Sequence, residues 1–151
     1  GPTSDATTMK INLDTFLPYQ LTNIATLVSN DFAKVYKREF GLNIPQWRIL
    51  ANLAQYGQST AKQLCTQADM DKSTVSRAVK ALITKGFICS KVNEQDKRAA
   101  FLMLTDECEA LYKKITPEAL AWEAQLLNTL SDDERLQMMS IFEKLKHQLQ
   151  P

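Results

Sequence analysis

The apolar positions of the chain fall into stretches of helical period, interrupted once by two short runs of strand character. Leu17, Leu21, Ile24, Val28, Phe32 and Val35 recur every three or four residues and form one stripe on a long helix. Pro18 suits its first turn and Gly41 its end. Pro45 opens a second helix that turns Trp47, Leu50, Leu53 and Ala54 inward and stops at Gly57. Ser59 or Thr60 caps a third, Thr60 pairing with Gln63 as a capping box, and its inner face is Ala61, Leu64, Cys65 and Ala68. Asp71 caps a fourth helix and Gly86 takes the position just past its end.

The period then changes. Phe87–Val92 and Ala99–Leu104 read as two short strands, and Asn93–Arg98 between them reads as a charged hairpin tip. Thr105 caps a fifth helix through Leu130, with Leu111, Ile115, Ala119, Trp122 and Leu126 in register. Pro117 predicts a kink or a split there, because it lacks an N–H and crowds the preceding turn. Ser131 and Glu134 form a capping box for a last helix carrying Leu136, Met139, Phe142, Leu145 and Leu149 along one side. The predicted class is mainly α with a small β-hairpin wing (α+β). Residues 43–104 make a winged helix–turn–helix, and the helices of 9–42 and 105–151 flank it. Their apolar stripes need cover, within the chain or from a second copy. Residues 1–8, GPTSDATT, read as a tag remnant or disordered tail.

Composition removes most catalytic readings. The three cysteines, Cys65, Cys89 and Cys108, are far apart and form no CxxC, which argues against a disulfide framework or zinc knuckle. The single histidine, His147, cannot support a histidine metal cluster, and four isolated glycines build no phosphate-binding loop. No cofactor, no metal and no enzymatic activity are expected. No apolar run approaches the roughly 20 residues of a membrane span, so a cytoplasmic protein without membrane contact is expected. Net charge is only +1, but residues 57–104 carry eight basic and four acidic groups, whereas 105–151 carry five and nine. A polyanionic partner would meet the middle of the chain.

The fourth helix has a distinct outer side. At about 100° per residue, Val75, Val79, Leu82 and Ile83 cluster together and Ser73, Arg77, Lys80 and Thr84 fall opposite, with Thr74 and Ser76 on the flanks. Small hydroxyls allow close approach to a major groove, and Arg can take guanine bidentately. At the hairpin tip Lys97 and Arg98 can reach phosphates or a minor groove, with Asp96 placed to orient the Arg98 guanidinium.

The run "STVSRAVKALITKGFI…DKRAAFLMLT" resembles the MarR family of winged-helix transcriptional regulators. The likeness lies in Ser73–Arg77, in Leu82 with Lys85–Gly86, in Asp96 with Arg98, and in Leu102–Leu104–Thr105. "FGLNIPQWRILANL" is similar to the family's second helix, and the resemblance spans about residues 13–149. It implies a homodimer joined by its N- and C-terminal helices on a pseudo-palindromic double-stranded operator. It also implies repression relieved by a small molecule lodged between the dimer helices and the DNA lobe. Ser73, Thr74, Ser76 and Arg77 would then touch bases or nearby phosphates and Arg98 the minor groove, with Thr60, Lys72, Lys80 and Lys97 completing the contact set. Trp47 and Arg48 fall where the effector wall would lie, suited to an aromatic carboxylate, with Tyr19 a further candidate. The competing expectation makes Trp47 core and Arg48 a structural ion pair. Two other readings stand beside the regulator: a winged-helix module that binds protein, and a thiol-based oxidant sensor. The second is weakened because no cysteine precedes Cys65, and because Cys65 and Cys108 fall in apolar helical registers.

Overall fold

The computed structural model describes residues 9–150, so the GPTSDATT segment lies outside the described residues. The described chain forms α1 (Leu17–Phe40), α2 (Ile44–Tyr56), β1 (Ser59–Thr60), α3 (Ala61–Gln67), α4 (Lys72–Thr84), β2 (Ile88–Lys91), β3 (Phe101–Leu104), α5 (Asp106–Leu127) and α6 (Asp132–Leu149). This is the expected α+β winged helix–turn–helix with flanking helices.

Capping explains most boundaries. Thr60, Asp71, Thr105 and Ser131 each accept the N–H three residues on, from Gln63, Thr74, Cys108 and Glu134. Gly41 ends α1 in the left-handed region at φ 61°. One capping box was not expected. Asn43 Oδ1 accepts the Gln46 N–H at 2.9 Å, and Gln46 Oε1 accepts the Asn43 N–H at 3.1 Å. That bond lets a glutamine occupy an inward position. The buried face of α2 is Gln46, Ile49, Leu50 and Leu53, so Trp47 is only half-buried and Ala54 is exposed.

The sheet has three antiparallel strands in the order β1-β3-β2, not the two of a simple hairpin. Ser59 pairs with Leu102 and Thr60 with Phe101, while Ile88–Lys91 run against Phe101–Leu104. A two-residue strand is too short to show a period, which is why the sequence does not announce β1. The other strands are shorter than their apolar runs: Val92, Ala99 and Ala100 belong to the wing loop.

Pro117 does not split α5, which is one helix from Asp106 to Leu127. Pro117 and Lys113, whose carbonyl would have received the missing N–H, are both exposed, so water can satisfy that carbonyl. The helix ends three residues before the expected Leu130.

The core joins Ala33, Tyr36, Leu42, Ile49, Leu50, Leu53, Leu64, Val75, Ala78, Leu82, Ile88, Leu102, Cys108 and Ile115. It uses the C-terminal half of α1, the winged lobe and the first half of α5. The remaining apolar stripes stay uncovered. Leu17, Leu21 and Ile24 of α1 and Leu126 of α5 are exposed, and α6 buries no residue at all.

Candidate nucleic-acid interface

The interface is organised by α4, which the protein pins from within and at both ends. Val75, Ala78 and Leu82 are buried on its inner side. At the start, Asp71 Oδ1 accepts the Thr74 N–H at 2.7 Å; this bond chiefly, with Arg77 and Ser73 adding, holds the Asp71 carboxyl below its usual pKa. At the far end the Phe87 N–H donates to the Leu82 carbonyl and the Gly86 N–H to the Ile83 carbonyl. Gly86, at φ 76°, permits this left-handed closure. Two longer-range bonds reinforce it. Thr105 Oγ1 donates to the Gly86 carbonyl at 2.8 Å, and Lys85 Nζ donates to the Gly41 carbonyl at 2.8 Å. α4 is thereby tied to the start of α5 and to the end of α1.

With the inner side fixed, the outer side is determined. Lys72, Ser73, Ser76, Arg77 and Lys80 are exposed and Thr74 is half-buried. Arg77 and Lys80 form no ion pair among the described residues, so their charge is available to a partner. Thr60 is half-buried, and its Oγ accepts the Gln63 N–H at 3.1 Å, which leaves its hydroxyl proton free to donate.

In the wing, Asp96 Oδ1 accepts both the backbone N–H of Arg98 at 3.1 Å and its Nε–H at 3.4 Å. The Arg98 side chain is nonetheless 93% exposed, so the aspartate aims it without burying it. Lys97 is exposed beside it. Asn93 was not singled out from the sequence, yet its Oδ1 accepts the N–H groups of Gln95 and Asp96 and shapes the loop. An Asn opening a charged turn was the available signal.

The fold has known counterparts. A model describing the MarR family matches residues 42–100, the winged lobe. The crystal structure of a MarR family transcriptional regulator from Silicibacter pomeroyi DSS is 30% identical, covers 90% of this chain and 91% of that one, and superposes with a TM-score of 0.75. The chain belongs to the MarR family. The uncharacterised HTH-type transcriptional regulator YwoH of Bacillus subtilis (strain 168) is 29% identical, over 83% of this chain and 90% of its own length. Sco3205 of Streptomyces coelicolor, a MarR family regulator solved in complex with DNA, shares the fold at 22% identity, with a TM-score of 0.79 over 95% of this chain and 92% of that one. As a MarR-family member the protein is a DNA-binding transcriptional regulator and not an enzyme.

The three positions considered for an effector lie in two places. Trp47 stacks between Tyr36, at 5.0 Å and 10°, and Tyr112, at 5.6 Å and 12°, with Phe32 edge-on at 5.3 Å. Burial raises the Tyr36 pKa, and the exposed Arg48 nearby partly offsets this. Arg48 forms no ion pair among the described residues. Tyr19 instead lines an open cleft of about 580 Å³ on the N-terminal half of α1 with Leu13, Gln20 and Ile24. Of the thiols, Cys108 is buried and pushed up to about 11, chiefly by desolvation and then by Glu107 and Glu109. Cys65 is half-buried, less covered than its helical register suggests, and Cys89 on β2 is exposed. Among the described residues no group of three or more His, Cys, Asp or Glu side chains could hold a metal, and no helix is long and apolar enough to cross a membrane.

Proposed function

We propose that this MarR-family protein is a cytoplasmic homodimeric repressor that occupies a pseudo-palindromic operator and leaves it when a small effector binds. The observation that carries the reading is the outer side of α4. It is exposed, hydroxyl-rich and free of internal ion pairs on a helix fixed at both ends. Ser73, Thr74, Ser76 and Arg77 read the major groove, and Lys72, Lys80, Lys97 and the Thr60 hydroxyl meet phosphates. Arg98, aimed by Asp96, enters the minor groove, where narrow width and negative potential favour arginine. Winged lobes at residues 43–104 are paired through α1, α5 and α6, so that two copies of α4 reach successive major grooves about 34–36 Å apart. The uncovered stripe on α6 supports that pairing. The effector is an aromatic acid held at Arg48 beside the half-buried Trp47, while Tyr19 lies in the separate cleft on α1; the unpaired, exposed Arg48 guanidinium supports this.

Selecting sites from a random duplex pool tests the reading. The selected duplex should bind with a steep salt dependence, and Arg77→Ala should weaken it by about 1–3 kcal/mol and relax preference at one base pair. Arg98→Ala should weaken it as well. Parental affinity in both variants, or weak binding to every duplex without salt dependence, would point to a protein-binding module instead.

A further inference from the structure

Beside the reading side of α4 lies a second feature that the core does not absorb. The sequence pattern puts Val79 and Ile83 on the inner face with Val75 and Leu82, but the core is centred on Val75, Ala78 and Leu82. Val79 is therefore half-buried, and Ile83 remains 45% exposed. These side chains, with Val75 and with Ala61 and Cys65 of α3, floor an open groove of about 660 Å³ between the two helices of the helix–turn–helix. Trp47, Arg48 and Tyr19 take no part in it.

The groove has a definite shape and charge. Val75, Val79 and Ile83 follow one another by a helical turn, so its floor runs along α4 for roughly 12 Å at 1.5 Å per residue. The floor is aliphatic apart from the Cys65 thiol. Its rim is cationic: Lys62, Lys72 and Lys80 line it, no acidic side chain does, and none of the three forms an ion pair among the described residues. Ser76 adds a hydroxyl. A long apolar floor excludes water from hydrocarbon, and unpaired ammonium groups attract one negative head. The volume falls within the range of about 300–1,000 Å³ usual for small-molecule sites.

We propose that the α3–α4 groove binds a medium-chain alkyl carboxylate, its chain along Val75, Val79 and Ile83 and its carboxylate at the lysine rim. Because Lys72, Ser76 and Lys80 belong both to this rim and to the proposed DNA contacts, a bound acid and an operator exclude one another. That second clause rests on the regulator reading; the site itself does not.

Cys65 in the floor makes the site measurable without DNA. In the full-length Cys89→Ser variant, Cys65 is the half-exposed thiol and Cys108 is 1% exposed. Octanoate should slow iodoacetamide alkylation of Cys65 saturably, at concentrations up to roughly 10 mM, as suits an open site of modest affinity. Butanoate, with less chain to bury, and octanamide, without charge, should protect at least about tenfold less well. Ile83→Glu, at an exposed position, should abolish protection while leaving the circular dichroism unchanged. No protection by octanoate, equal protection by octanamide, or protection that survives Ile83→Glu overturns the site. Protection that leaves the affinity for a selected duplex unchanged overturns the competition. Failure to bind any duplex, with protection intact, removes the regulator reading alone.

Discussion

At the scale of single residues, side chains that serve two partners at once hold α4 in place. Thr105 accepts the Cys108 N–H at 3.2 Å and donates to the Gly86 carbonyl at 2.8 Å, so one hydroxyl starts α5 and closes the end of α4. Thr105→Val should lose both bonds and destabilise the protein by about 1–2 kcal/mol in urea unfolding, while Thr105→Ser keeps most of it. If valine cost no more than serine, the double role would be wrong. Asp71 gives a pH prediction at the other end of α4. Its carboxyl is held below the ordinary value near 3.8, chiefly by the Thr74 N–H, so its folded form favours the anion. That contribution is present above the unfolded value and lost as pH falls through the lower folded value. Asp71→Asn retains a capping oxygen that does not titrate, so the loss of melting temperature below about pH 4 should be shallower in the variant. Identical acid profiles would remove Asp71 as a contributor.

At the scale of elements, the helices were legible wherever a cap and an apolar period agreed. Thr60, Asp71, Thr105 and Ser131 marked four starts, and Gly41 and Gly86 two ends. The wing was legible as two apolar runs about a charged turn, and with it the Asp96–Arg98 pair. What stayed hidden depends on contacts distant in sequence. β1 exists only because Phe101 and Leu102 lie opposite it. The Lys85–Gly41 bond joins residues 44 apart. The α3–α4 turn was hidden for a local reason. Asp69 adopts φ 51°, a conformation usually given to glycine, while the Met70 N–H bonds back to the Cys65 carbonyl. A β-branched residue resists that region, so Asp69→Val should cost about 1–2 kcal/mol in thermal unfolding, and Asp69→Gly should be tolerated. Equal melting of the two variants would show that the turn readily adopts another path. Because this turn sets how α3 meets α4, Asp69→Val should also weaken operator binding more than Arg77-distant surface changes do.

At the scale of the whole molecule, the distribution of uncovered apolar surface decides the assembly. The core occupies the winged lobe and its two supporting helices, whereas Leu136, at 70% exposure, and Met139, at 57%, stand out on a helix that buries nothing. An 18-residue helix of that kind gains little stability by itself and needs a packed face. The exposed Leu17, Leu21 and Ile24 of α1 and Leu126 of α5 present further stripes of the same character. The acidic balance of residues 105–151 keeps this region from competing for phosphate. In the proposed dimer both faces are covered, so the parent protein should sediment at twice 17.1 kDa at micromolar concentration. Leu136→Glu combined with Met139→Glu places two charges per copy in that interface, where desolvating them is unfavourable, and should shift the protein to 17.1 kDa. The same charges are solvated in a monomer, so the fold of the winged lobe should survive within about 0.5 kcal/mol per substitution. With one half-site contact instead of two, operator affinity should fall by roughly 10²–10⁴, the factor that linkage of two modules supplies. A parent protein that sediments as a monomer would overturn the dimer, and a doubly charged variant that remains dimeric and fully active on the operator would place its interface elsewhere than on α6.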